Sequence, residues 1–157
     1  MHPSRTSSAA GLRRSISEAV EAALSHDRDR FADAADRLAV QDPQRLGVLQ
    51  AWIVRSLLER LHPDGFSSAD AHDLLRNCLQ SAAAWFAEPE PTVLAQVLTG
   101  ALGMSDPDAP AAGGPAVLSR HAALLTAVLL SGTGQPLAGY LDAAFTELER
   151  AETIELP

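Results

Sequence analysis

Apolar positions recur at helical spacing along most of the chain, and this pattern predicts an all-α fold. In the first run, Ile16, Val20 and Leu24 are each four residues apart, which places them on one face of an α-helix beginning near Ser15. The polar residues 26–30 interrupt that face, so we expect a break or an exposed helical turn there.

Proline, glycine and capping residues divide the rest of the chain into five further helices. Asp42 followed by Pro43 is typical of a helix start, because the carboxylate caps free amides and proline suits the first helical position. Ser67 and Asp70 have the spacing of a capping box. The pattern therefore predicts about six helices in three antiparallel helical hairpins, packed as a bundle or as a short solenoid-like array.

Composition along the chain predicts one domain with two tails. Residues 1–14 are mostly small and polar and predict a disordered tail, whereas residues 15–151 carry the apolar periodicity of a single helical domain. Residues 103–115 are rich in proline and glycine and predict a flexible linker inside that domain. Residues 152–157 are expected to form a C-terminal tail.

The overall composition supports helices and argues against nucleic acid as a partner. Hydrophobic residues make up 46% of the 157 residues but aromatic residues only 4%, so alanine and leucine provide most of the packing, and both favour helices. The formal net charge of −8 repels phosphate backbones and favours a basic protein partner. The sequence contains no cofactor-binding motif, so no cofactor is expected.

The single cysteine and the lack of a long apolar segment predict a cytoplasmic protein. Cys78 has no partner for an internal disulfide and lies in an apolar helical stripe, as a buried cysteine does. No apolar stretch approaches the roughly 20 residues of a membrane span, and the first residues lack the apolar region of a secretory signal. All 12 basic residues are arginine, a bias typical of GC-rich genomes. We therefore expect a bacterial, cytoplasmic protein that does not bind membranes.

One turn between two predicted helices concentrates residues of the kind that bind metal ions. His62, Asp64, Asp70, His72 and Asp73 lie close together in the sequence, and imidazole and carboxylate groups are ligands of zinc and iron. The residues also have ordinary structural roles, since histidine suits the last turn of a helix and aspartate suits the first. The cluster is a candidate metal site, and a metal-dependent enzyme is the third functional hypothesis.

Aromatic and basic side chains beside the predicted core stripes suggest a ligand pocket between helices. Bundles commonly hold small molecules in such pockets, and a buried arginine would suit an anionic ligand. The alternative role of the aromatic residues is packing in the core. The candidate pocket residues are Trp52, Arg55, Trp85, Arg120, His121 and Tyr140.

The fifth predicted helix, residues 116–131, is apolar around most of its circumference. Either its neighbours enclose it, or one side contacts another protein molecule. The second alternative makes Leu124, Leu125, Val128 and Leu129 a candidate interaction surface. Because no catalytic motif is present, the sequence favours a protein–protein interaction module that self-associates as a homo-oligomer and has no enzymatic activity. A small-molecule-binding domain is the alternative.

Overall fold

The computed structural model describes residues 8–86, 89–104 and 113–155, and the chain is predominantly helical over these ranges, with no strand among them. The bounds of the seven helices are α1 Ala9–Leu24, α2 Arg28–Ala39, α3 Pro43–Leu61, α4 Ser68–Ala83, α5 Pro91–Ala101, α6 Gly114–Ser131 and α7 Leu137–Glu155. The predicted all-α class is confirmed. The count exceeds the predicted six because the first predicted helix is divided into α1 and α2.

Side-chain caps determine where several helices begin. Asp27 caps α2 and Asp42 caps α3, each by accepting a hydrogen bond from a backbone N–H in the first turn. At α4, Ser67 and Asp70 form both hydrogen bonds of the capping box that their spacing predicts. Local sequence therefore sets these helix starts independently of the core.

The break between α1 and α2 lies at residues 25–27, at the start of the polar stretch 26–30 that interrupts the apolar face. His26 has a φ of 53°, and the N–H of Asp27 donates to the carbonyl of Ala22 at 3.1 Å, which closes the end of α1. A positive φ is uncommon for histidine. Its ring stacks on Trp85 with 5.6 Å between ring centroids, and this contact holds the turn against the end of α4.

Both predicted tails differ from the structure where it describes them. The helix α1 begins at Ala9, and Leu12 is fully buried, so part of the predicted N-terminal tail belongs to the core. Leu12 extends the face of Ile16 by one turn, which the polar composition around it obscured. At the other end, α7 continues to Glu155, into the predicted C-terminal tail. The predicted tail and linker residues that lie outside the described ranges are 1–7, 105–112 and 156–157.

The helix α6 lies at the centre of the fold and contacts α1, α2, α3, α4 and α5. The second central helix is α3, which packs on α5, α6 and α7. Because α6 packs on helices from the start of the chain, the arrangement is a bundle, unlike a solenoid in which each unit contacts only its neighbours.

Within the described residues, α6 is also the one helix with the length and hydropathy of a membrane span, at a mean of 1.3 over 18 residues. Of that window, 56% is buried inside the fold. Enclosure by five other helices accounts for an apolar composition of this kind.

Candidate ligand-binding groove

A groove of about 760 Å³ opens between the N-terminal halves of α3 and α6 and the C-terminal half of α5. The end of α2 borders it on one side. Its described lining contains no charged side chain and consists mainly of apolar and small residues. The polar side chains that line it are Gln41, Gln44, Gln50, Gln96, Thr99 and Ser119.

Small residues keep this groove open. Gly47 and Ala51 face it from α3, and Ala116 and Ala122 face it from α6. A Cβ atom placed on Gly47 would meet no other atom within 4 Å. The volume opposite these small residues is therefore left open.

Gln50 is the most buried of the glutamines in the groove, with 5% of its surface exposed. Its Nε2 donates a hydrogen bond to the carbonyl oxygen of Ser119 at 3.0 Å, which joins α3 to α6. A carbonyl oxygen only accepts hydrogen bonds, so the amide nitrogen must be the atom that faces α6. The other amide atom of Gln50, Oε1, is therefore the one left to accept a hydrogen bond.

Three of the predicted pocket residues come together, but not around a cavity. Trp85 and His121 contact the ring of Phe86 edge-on, with centroid distances of 5.6 Å and 5.4 Å. The Cζ atom of Arg120 lies 5.9 Å from the centre of the same ring. Phe86 therefore fills the space in which a ligand was expected between these residues.

The other three predicted pocket residues lie elsewhere. Arg55 borders a second, smaller pocket of about 360 Å³ at the end of α3, whereas Trp52 and Tyr140 are half-buried against the core. None of the six residues is part of the described lining of the groove. The structure has an apolar groove between helices, and the six residues predicted to line a pocket lie outside its described lining.

His121 is fully buried and both of its ring nitrogens have partners. The backbone N–H of Glu90, the residue before α5, donates to Nε2 at 3.1 Å, so Nε2 carries no proton. Nδ1 then carries the proton and donates to the carbonyl of Val117 at 2.9 Å. Burial, aided by the charge of Arg120, holds the pKa of His121 below its ordinary value of 6.5. The neutral ring thus joins α6 to the start of α5.

The predicted metal site is not formed by the residues proposed for it. His62 Nδ1 and Asp70 Oδ2 are 3.7 Å apart, which is longer than a hydrogen bond. The carboxylate of Asp70 accepts a hydrogen bond from the backbone N–H of Ser67 at 2.9 Å, and this bond is the main reason that the pKa of Asp70 lies below 3.8. Asp70 therefore acts in the capping box.

The remaining members of that cluster point away from a common centre. Asp73 pairs with Arg76 on the same helix, and Asp64 and His72 are exposed. Among the described residues, no three histidine, cysteine or acidic side chains are grouped closely enough to hold a metal ion. His72 and Asp73 are adjacent on α4 and so point in different directions, whereas Asp64 lies in the turn before that helix.

The predicted interaction surface on α6 is part of the core. Leu124, Leu125 and Leu129 have 1%, 0% and 2% of their surface exposed, and Val128 is half-buried against the same core. The sequence left open whether these residues contact another molecule or are enclosed by neighbouring helices. In the structure, neighbouring helices enclose them.

Cys78 is buried, as its place in an apolar stripe predicts. Burial raises the pKa of its thiol to about 12, because the thiolate would lose its hydration. The residue therefore packs as a small apolar group and offers no nucleophile near neutral pH.

The residues that form the groove were not recognised in the sequence, although two features pointed to them. Gly47 and Ala51 are small residues one turn apart on the otherwise bulky face of α3. Gln50 is a polar residue between the core leucine Leu49 and the core position Ile53. The pattern that indicates this groove is therefore a polar residue at a core position, Gln50, next to the two small residues Gly47 and Ala51.

No protein family model, curated protein or solved structure matches the chain.

Proposed function

We propose that the chain is a binding domain for a small, neutral, largely apolar molecule held in the groove between α3, α5 and α6. The supporting observation is the groove itself, whose volume of about 760 Å³ falls within the roughly 300–1,000 Å³ of small-molecule sites. A charged ligand would lose its hydration there without an opposite charge in the described lining, and this favours a neutral one.

Binding without chemistry is favoured because the described lining holds no histidine, cysteine or carboxylate. Its two hydroxyl groups donate to carbonyls of their own helices, Thr99 to Gln96 at 3.2 Å and Ser119 to Ala116 at 3.1 Å. A hydroxyl needs an adjacent base to act as a nucleophile, and the described lining supplies none. The groove therefore suits recognition more than catalysis.

An apolar segment of a protein is the second candidate for the same groove. Met104 belongs to the lining and is 71% exposed, and Val40, next to the lining residue Ala39, is 81% exposed. Exposed apolar side chains beside a groove are typical of protein contact sites. This retains the interaction-module hypothesis, at a different surface from the one predicted on α6.

A neutral fluorescent probe, N-phenyl-1-naphthylamine, tests the proposal directly. We expect its emission to rise on binding to the wild-type protein and to remain low with Gly47→Phe, whose side chain would occupy the groove. Gly139→Phe is the matched control, because Gly139 is also helical and exposed and also has no atom within 4 Å of a Cβ, but lies on α7.

The two variants also define the outcome that would reject the proposal. Circular dichroism first establishes that both are folded. Equal loss of probe binding in both variants, or no loss in either, would place the probe outside the groove. Native mass spectrometry of the purified protein, combined with light scattering, then distinguishes a retained small molecule from a protein bound in the groove.

A further inference from the structure

The floor of the groove presents one hydrogen-bond acceptor in a largely apolar setting. Gln50 is 5% exposed and lines the groove, and its Nε2 is committed to the carbonyl of Ser119. Its Oε1 is not among the fully buried side-chain atoms that lack a partner, which include Trp85 Nε1 and Tyr140 OH. No hydrogen bond to Oε1 is formed among the described residues either, so this oxygen is at least partly accessible.

The neighbouring polar groups have other partners. The hydroxyls of Ser119 and Thr99 donate within their own helices. Gln41 donates from Nε2 to the hydroxyl of Ser15 on α1 at 3.1 Å. Among the glutamines of the described lining, Gln50 is the buried one, and the bond from its Nε2 leaves its Oε1 as an oriented acceptor.

We infer that Gln50 determines the ligand class of the groove: a largely apolar molecule that carries a hydroxyl or N–H group and donates it to Gln50 Oε1. The inference rests on the proposed binding function. A ligand without a donor would cover this oxygen and remove it from water without replacing the hydrogen bond. Sites built around such a group discriminate against analogues that lack the matching partner. A carboxylate ligand is disfavoured as well. An ionised carboxylate has no hydrogen-bond donor to offer to Gln50 Oε1, and the two acceptors would repel each other.

A pair of probes that differ in one donor tests the inference on the wild-type protein. N-phenyl-1-naphthylamine has an N–H group, and its N-methyl derivative has the same aromatic body without it. We expect the N–H probe to bind more tightly by roughly 2- to 12-fold, the effect of one neutral hydrogen bond. Dissociation constants from fluorescence titration give the ratio.

Gln50→Met provides the matching change in the protein, because methionine has a similar length and no strong acceptor. We expect the ratio of the two dissociation constants to fall to about one in this variant, while the N-methyl probe retains its affinity. Equal affinities of the two probes for the wild-type protein would overturn the inference without needing the variant.

The failure of the proposed function has a different signature. If the two probes bind equally and Gly47→Phe abolishes both, the groove binds ligands but Gln50 does not select them. If Gly47→Phe affects neither probe, the groove is not the binding site, and the proposed function fails together with the role of Gln50.

Discussion

The two halves of α6 differ in composition and in their surroundings. Residues 123–130 are almost all buried by other helices, whereas five residues between 115 and 122 line the groove. Six of residues 123–130 are alanine or leucine, compared with three of residues 115–122. The facing helix adds to this difference, because α3 presents Gly47 and Ala51 to the first half. The groove therefore reflects both helices of the pair.

The largest expected difference between the two halves of α6 is in the free energy of unfolding that is lost when a leucine is shortened to alanine. Leu125 is fully buried, so Leu125→Ala should lower the free energy of unfolding by about 2–5 kcal/mol. Leu118 is half-buried in the groove wall, so Leu118→Ala should cost about 1 kcal/mol. Urea unfolding measures both. Equal losses would mean that the first half of α6 is as tightly packed as the second.

Replacement of an alanine by leucine in each half of α6 tests whether there is room for a larger side chain. Ala123 is 1% exposed, and Ala123→Leu should destabilise the protein by about 1–3 kcal/mol because the core has no room for the added atoms. Ala116 lines the groove and is exposed, so Ala116→Leu should change stability by less than about 0.5 kcal/mol. Thermal unfolding checks the pair, and a large loss in Ala116→Leu would contradict an open groove.

His121 lies between the two halves and should make stability depend on pH. Its folded-state pKa lies below 6.5, so the unfolded chain binds the proton first as the solution is acidified. The contribution of the neutral ring is fully present above pH 6.5 and is lost as the pH falls towards the folded-state pKa, by at most about 1.4 kcal/mol per pH unit.

Replacement of the imidazole isolates this effect. We expect His121→Gln to have a flatter stability profile just below pH 6.5, because its amide does not titrate. Leu125→Ala is the control, since it lowers stability but keeps the imidazole and should keep the slope. Asp70 does not add to this slope near pH 6.5, because its pKa lies below 3.8: its stabilisation is fully present above pH 3.8 and is lost only as the pH falls through the lower folded-state pKa. An unchanged slope in His121→Gln would argue against the titration of His121.

The smallest expected effect is a gain in stability at Gly47. Alanine in the interior of α3 restricts the unfolded chain, and a Cβ there meets no atom, so Gly47→Ala should add about 0.5–1 kcal/mol. Gly139→Ala should add less, because that residue lies in the first turn of α7. Chemical denaturation measures the two gains, and a loss at Gly47 would show that the groove is narrower than described.

The helices could be predicted from the sequence because their determinants are local. The spacing of Ser67 and Asp70, the pair Asp42 and Pro43 and the apolar stripes each act within one or two turns. The division between α1 and α2 was visible as a polar stretch, and Asp27 caps α2 locally, but the stack of the His26 ring on the distant Trp85 has no marker in the local sequence.

The candidate site was harder to predict because it depends on which helices meet. Trp85, Arg120 and His121 were among the six predicted pocket residues, but in the structure they contact the ring of Phe86, which has no local sequence marker. The leucines of α6 had two possible partners, another molecule or neighbouring helices, and periodicity does not distinguish these. The groove itself arises where small residues of α3 and α6 face each other.

The stack of His26 on Trp85 gives the protein an optical property. The chain has two tryptophans, so in a Trp52→Phe variant all indole emission would come from Trp85. That indole is in contact with His26 and edge-on with Phe31 and Phe86, at 5.3 Å and 5.6 Å, and its emission depends on these contacts. A shift in its wavelength would report separation of the α1–α2 turn from the end of α4 in real time, without any added label.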